Sequence, residues 1–392
     1  MSIDVARARA ETPGCGEVLH FNNAGAALMP RPVLEAVQGH LGLESRIGGY
    51  EAADRERERW ERSYDAIAAL LGCRRDEVAV VENATRAWDM AFYAVPLARG
   101  DRVLTPQTEY VSNYLAFLQV SRRTGAKVEV VPSDGSGQLD VAALERMMDE
   151  RVRLVAVTHV PTNGGLVNPV EAIGKVVKGW GALYLVDACQ SAGQMPLNVD
   201  AIGCDMLSAT GRKFLRGPRG TGFLYVRRAA MDRIEPPFVD LHAARWVAAD
   251  RYEWRSDARR FENWETNYAT KIGLGVAVDY ALGWGLGAIR ERAFGLAALL
   301  REKLAAIPGV VVRDLGREKC AIVTFTVEGR APVAIRDSLR ARGVNVSVSL
   351  LEYARLDMEA RGLEQMVRTS VHYYNTDEEV ERFCGEIAAL AR

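Results

Sequence analysis

Between residues 78 and 226 the chain alternates short apolar runs with longer stretches of helical periodicity. Val78–Val81, Arg102–Thr105, Lys127–Val131, Leu154–Thr158, Leu183–Val186, Met206–Ser208 and Gly222–Val226 have the length and character of strands. Several are apolar throughout, the pattern of strands covered on both faces of a largely parallel sheet. Ala84–Val95, Ser112–Thr124, Val141–Asp149 and Val170–Trp180, which lie between them, read as helices. The rhythm predicts an α/β sandwich with helices on both sides of the sheet.

The rhythm changes after about residue 285. Ala288–Ile307 reads as a long amphipathic helix, Val310–Arg313 and Ala321–Val327 as strands, Ala334–Arg342 as a helix, Val367–Tyr373 as a strand and Asp377–Leu390 as a closing helix. This is a compact α+β pattern. It predicts a large domain over residues 16–285 and a smaller one over 286–392 that also takes in residues 1–15.

Composition narrows the function classes. The 392 residues are 48% hydrophobic and 26% charged, with a net charge of −1, so no global basic field points to nucleic acid. The alternating run Arg55–Arg62 reads as a solvated helix face. Six cysteines, at 15, 73, 189, 204, 320 and 384, form no CxxC pair, and five histidines, at 20, 40, 159, 242 and 372, are scattered. No metal site is expected, and reduced thiols fit a cytoplasmic enzyme. No apolar stretch approaches the length of a membrane span, and the N-terminus has no apolar core of a secretory signal.

The stretch 183–226 carries the chemistry. An apolar strand ends in Asp187, where open α/β sheets place ligands. Lys213 follows another strand and enters a turn rich in glycine and proline. A carboxylate and a lysine at successive strand ends can reach opposite sides of one ligand. Pyridoxal 5′-phosphate (PLP) chemistry needs that pair: a lysine to form a Schiff base, and an acid to keep the pyridine nitrogen protonated. Spacing alone leaves equal room for a surface lysine and a helix-capping aspartate.

Seven segments then appear in a recognisable order: FNNAGAALMP at 21–30, ENATRAW at 82–88, THVPTNGGLVNP at 158–169, VDACQ at 186–190, GRKFLRGPRGTG at 211–222, RFENWETN at 260–267 and VRTSVHYYNTDEE at 367–379. Together they resemble the class V aminotransferase family of fold-type I PLP enzymes, the group of cysteine desulfurases, selenocysteine lyases, cystine lyases and isopenicillin N epimerase-like proteins. The resemblance implies a homodimer that acts on a small amino acid. It makes Lys213 the Schiff-base lysine, Asp187 the partner of the pyridine nitrogen and Gln190 a donor to the ring's phenolic oxygen. The backbone N–H groups of Ala84, Thr85 and Arg86 and the hydroxyls of Thr85 and Thr210 would hold the phosphate. Tyr110 would stack on the ring, and either Thr162 or Asn163 would face its edge. Arg368 would clamp the substrate carboxylate, Asn22 and Ala24–Ala26 would border the substrate, and Thr266 would reach the phosphate of the neighbouring subunit.

Two departures from the family bear on the reaction. Arg212 precedes the lysine where many relatives have histidine; a fixed cation there fits the phosphate or a substrate anion. Residues 345–368, where cysteine desulfurases carry a nucleophilic cysteine on a mobile loop, contain no cysteine. Cys320 and Cys384 read as core residues, and Cys189 as a small filler beside the cofactor. A persulfide mechanism is therefore not expected. The reading is a C–S β-lyase acting on a cysteine conjugate, with an aminotransferase as the alternative, an epimerase third and a non-enzymatic binding protein last. The Arg212–Arg219 segment, Tyr353 and Arg355 are candidates for recognising an anionic substrate tail.

Overall fold

The computed structural model describes residues 2–392. Seven strands form one large sheet: β1 (Val78–Val81), β2 (Arg102–Pro106), β3 (Lys127–Val131), β4 (Val152–Thr158), β5 (Leu183–Asp187), β6 (Met206–Thr210) and β7 (Gly222–Val226). They lie in the order β1-β7-β6-β5-β4-β2-β3. All seven runs picked out by their apolar content are in this sheet, with ends displaced by two residues at most. Pairing is parallel except at β7, which runs antiparallel to both its neighbours. Apolar side chains of β4, β5 and β6 are buried, and clusters fill both faces of the sheet.

A second, four-stranded antiparallel sheet follows: β8 (Val310–Val312), β9 (Ile322–Val327), β10 (Ser347–Leu350) and β11 (Gln365–Ser370), in the order β8-β9-β11-β10. The helices Leu286–Ala305 and Asp377–Ala391 pack in the same core, which includes Leu296, Leu300, Phe325, Phe383 and Ile387. Leu19–His20 pairs in parallel with Val344–Asn345, and Asn22 bridges Ser370, so residues 19–22, read from the sequence as part of the large domain, pair with this unit, whereas Ala8 packs in the core of the large sheet. The strand read over Val367–Tyr373 begins two residues earlier and stops at Ser370. His372 and Asn375 close a turn there, His372 N–H donating to Asn375 Oδ1 and Asn375 N–H to His372 O.

The link between β6 and β7 is held shut from both sides. Gly211 N–H donates to Thr221 O at 3.0 Å, and Gly217 N–H to Gly211 O at 2.8 Å. Within this loop Arg216 has a left-handed backbone (φ 61°) and is fully buried. Its guanidinium donates to Leu28 O, Tyr373 Oη and Thr12 Oγ1, and its Cζ lies 4.5 Å from the Tyr374 ring centroid. Arg216 thus ties the Lys213 loop to the N-terminal segment and to the chain after β11. An Arg216→Ala variant strands those acceptors in the interior, and its unfolding free energy should fall by about 2–4 kcal/mol in a denaturant titration.

Candidate active site

A cavity of about 610 Å³ opens at the carboxyl ends of the parallel strands. Asp187 enters it from the end of β5 and Lys213 from the β6–β7 loop. Asp187 is buried; its Oδ1 accepts from Cys189 N–H at 2.9 Å and its Oδ2 from Asn113 Nδ2 at 3.0 Å. Burial raises the Asp187 pKa above the usual carboxylate value, and the Asn113 hydrogen bond works against it. Lys213 Nζ is 3.2 Å from Cys189 Sγ and has no carboxylate partner among the described residues. Burial lowers its pKa, the direction that favours a neutral, nucleophilic amine.

The helix Ala84–Phe92 points its N-terminus at the same cavity. It starts there because Asn83 caps it and because Ala87, Trp88, Met90, Ala91 and Phe92 give it a buried face. The cap changes one expectation. Arg86 N–H donates to Asn83 Oδ1 at 2.8 Å, so it is spent on the helix itself. Its guanidinium lies over the Phe238 ring at 4.9 Å, outside the cavity wall. Ala84 and Thr85 do line the cavity, and their N–H groups belong to the first turn, which has no intrahelical acceptors. Thr210 also lines it, but its hydroxyl donates to Thr221 O at 3.1 Å and must turn to serve a phosphate. Gly222 explains how β7 passes so near: a Cβ there would stand 2.5 Å from the Asn83 backbone carbon.

Tyr110, Gln190, Ala24 and Arg368 complete the wall. Gln190 Nε2 lies 3.2 Å from both Ala24 O and Thr162 Oγ1, while its Oε1 is buried without a partner. Arg368 reaches the cavity from β11, at the register position opposite Thr324 and Ser347. Its Nη1 donates to Thr162 Oγ1 at 2.6 Å, its Nε has no partner, and no carboxylate pairs with it among the described residues. Its low-polarity surroundings lower its pKa to about 10. A cation held this way lacks an anion.

The structure separates several residues that the sequence left together. Thr162 faces the cavity; Asn163 is buried and turned away, its Nδ2 3.0 Å from Met358 Sδ. Successive residues of this turn point in opposite directions, so only one can serve. Asn22 is not in the wall. Its side chain lies beneath Gly25, where an added Cβ would meet Asn22 Oδ1 at 2.6 Å. Thr266 lies in a neighbouring cavity of about 780 Å³ that shares Glu82 and Gly220 with the first. Arg212 and Arg219 line the Lys213 cavity, whereas Arg216 between them is committed to the interior. Tyr353 lines the cavity too, but Arg355 is exposed and paired with Glu359. His159 is a core histidine, and burial depresses its pKa to about 4. Cys320 and Cys384 are buried in the core of the second sheet.

Sequence reasoning missed Glu109 and Asn113. Glu109 is buried beside Tyr110 and accepts from Thr105 Oγ1 at 3.0 Å, Tyr110 N–H at 2.8 Å, Asn113 Nδ2 at 2.8 Å and Thr158 Oγ1. The signal was an acid immediately before the expected ring-stacking aromatic.

The residues fit PLP. An anion site at a helix N-terminus, a lysine without a counter-ion, a buried aspartate and unpartnered polar atoms of Gln190 and Arg368 converge on one cavity. Fold and cavity together define a fold-type I PLP-dependent enzyme. The chain belongs to the class V aminotransferase family, whose model matches residues 19–383. It is similar to a probable cysteine desulfurase of Xylella fastidiosa (strain Temecula1), 33% identical over 377 residues that cover 93% of this chain and 89% of the relative. A probable cysteine desulfurase of Pyrococcus abyssi is 29% identical over 98% of this chain and 97% of its own. Among solved structures, the apo cysteine desulfurase of Thermococcus onnurineus NA1 superposes with a TM-score of 0.92 at 30% identity, covering 100% of this chain and 98% of that one. The protein is thus a PLP-dependent enzyme acting on an amino acid.

Proposed function

We propose that the protein is a C–S β-lyase that cleaves a cysteine conjugate and passes no sulfur through a cysteine of its own. In this reading Lys213 is the residue that would hold the cofactor covalently, and its amine would be free once the amino acid is bound. Bound there, PLP supplies an electron sink for the substrate's Cα. Arg368 takes the α-carboxylate through its free Nε edge and fixes the amino acid's orientation. The freed Lys213 amine removes the Cα proton. The Cβ–S bond then breaks with its electrons leaving on sulfur, and the released 2-aminoacrylate takes up water to give pyruvate and ammonia.

One observation carries the choice of reaction. Residues 345–368, which bring Tyr353 to the cavity, hold no thiol. The thiol at the cavity, Cys189, packs against Lys213 instead, and burial raises its pKa so that it stays protonated. A protonated thiol on the lysine side is poorly suited to attack a substrate sulfur. The test is to supply S-substituted L-cysteines with no 2-oxo acid and follow pyruvate over many turnovers. Pyruvate that keeps accumulating supports the lyase. A reaction that stops after one equivalent per active site, with PLP converted to its amine form, makes the protein an aminotransferase.

Arg212 and Arg219 supply cations at the cavity wall with no carboxylate partner among the described residues. They fit a second anionic group on the conjugate. With such a conjugate, Arg212→Ala should raise KM roughly 10-fold, and Arg355→Ala should leave it unchanged, because that side chain is already paired outside the cavity.

The same reading makes the enzyme a homodimer in which Thr266 of each protomer serves the partner's phosphate. Its place beside the cavity, and the exposed Phe238, Leu241 and Trp246 in the segment preceding it, support this. Sedimentation should give twice the chain mass.

A further inference from the structure

Behind the cavity wall two carboxylates share one amide. Asn113 Nδ2 stands 3.0 Å from Asp187 Oδ2 and 2.8 Å from Glu109 Oε1. Both neighbours are carboxylate oxygens, so the amide must turn its NH₂ toward them and give one hydrogen to each. Glu109 is held by three further donors, the Thr105 and Thr158 hydroxyls and the Tyr110 N–H. These come from the ends of β2 and β4 and the start of the helix Val111–Thr124, so Glu109 cannot swing away.

Glu109 is 4% exposed and has no Lys, Arg or His partner among the described residues. A buried carboxylate without a cation is costly, and a second one hydrogen-bonded to the same amide adds to the cost. Burial raises the Glu109 pKa to about 7, with the Asp187 carboxylate adding in the same direction and the hydrogen bonds from Thr158, Tyr110 and Asn113 working against it. Hydroxyls and amides reduce this penalty but do not neutralise it. Asn113, Thr158 and Asp187 line the cavity, and Glu109 lies one layer behind them. Above the Glu109 pKa the pair therefore aims two carboxylates at the place where the cofactor ring must lie.

We infer that Glu109 is a positioning residue for the cofactor: through Asn113 it locks the orientation of Asp187, and its charge adds to that of Asp187 in keeping the ring nitrogen protonated. This rests on PLP lying in the Asp187–Lys213 cavity but not on the lyase reaction.

The test uses the holoenzyme and needs no substrate. The visible band of the lysine-bound cofactor is titrated with pH in the wild type, Glu109→Gln, Glu109→Asp and Asn113→Ala. Glu109→Gln should keep a full complement of PLP and its melting temperature, and its titration midpoint should fall by about one pH unit, because a negative charge near the cofactor is gone. Glu109→Asp, which keeps the charge, should restore most of that shift. An unchanged midpoint in Glu109→Gln overturns the inference. So does an equal shift in Glu109→Asp, which would mark a packing role. If Glu109→Gln does not fold, Asn113→Ala decides: it leaves both carboxylates and removes their link, and an unchanged midpoint there overturns the inference equally. Failure of the lyase reading would appear instead as absent pyruvate with these spectra intact.

Discussion

Lys213→Ala is expected to lose the visible absorption of covalently held PLP and to cut turnover by roughly 10³-fold or more. Two roles fall together in this variant. In the proposed function the amine that would hold the cofactor is gone, and so is the base that would take the Cα proton. No neighbour can replace it: the thiol 3.2 Å away belongs to Cys189, whose pKa is raised by burial, and His159 is a core group outside the cavity wall. PLP itself should still bind, because the helix N-terminus at Ala84 and Thr85 and the Asp187 carboxylate remain. The result to look for is PLP retained through gel filtration with its visible band lost. Retention of that band would place the covalent link on another lysine.

Arg368→Ala is expected to lower kcat/KM by about 30- to 1,000-fold, the effect of about 2–4 kcal/mol that removal of one member of a buried ion pair produces. In the free enzyme the guanidinium has Thr162 on one edge and nothing at Nε, which leaves that edge open for the carboxylate that the proposed function assigns to it. Arg368→Lys should recover little, since one ammonium cannot make the two parallel hydrogen bonds of a planar guanidinium. Thr162→Ala should act through the same contact with a smaller effect, because Gln190 and Arg368 both lose an oxygen that orients them. Steady-state kinetics of the three variants separates these roles. Equal kcat/KM in the wild type and Arg368→Ala would put the carboxylate elsewhere.

The large sheet was legible because its inner strands are covered on both faces. Such strands must be apolar along their whole length, and that leaves a signal in single residues such as the Leu183–Val186 run. Asp187 was legible for the same reason: it is the first polar residue after an apolar run, at a strand end. The helix Tyr268–Trp284 was not, because it is buried on most of its surface and has no polar face to mark its period. The hairpin Ala244–Ala248 with Arg251–Trp254 was hidden for the opposite reason, six of its nine residues being exposed. The strand Ser347–Leu350 lies in a segment that the sequence offered only as a loop. Within the site, choices that hang on a single turn were out of reach. Thr162 and Asn163 differ by the direction of one residue in a glycine-containing loop. Arg86 lost its place because Asn83 turned inward to cap the helix. Arg216 could not be told from Arg212 and Arg219, since the acceptors that draw it into the interior, Leu28 O, Tyr373 Oη and Thr12 Oγ1, come from distant parts of the chain.

The fate of sulfur tests the account most directly. The enzyme is quenched during turnover of an S-substituted L-cysteine, and the intact mass of the protein is measured alongside released thiol and pyruvate. Thiol and pyruvate in equal amounts, on a protein with no sulfur added to any of its six cysteines, is the predicted result. A sulfur adduct that forms and decays at the rate of turnover, at Cys189 or any other cysteine, would contradict it.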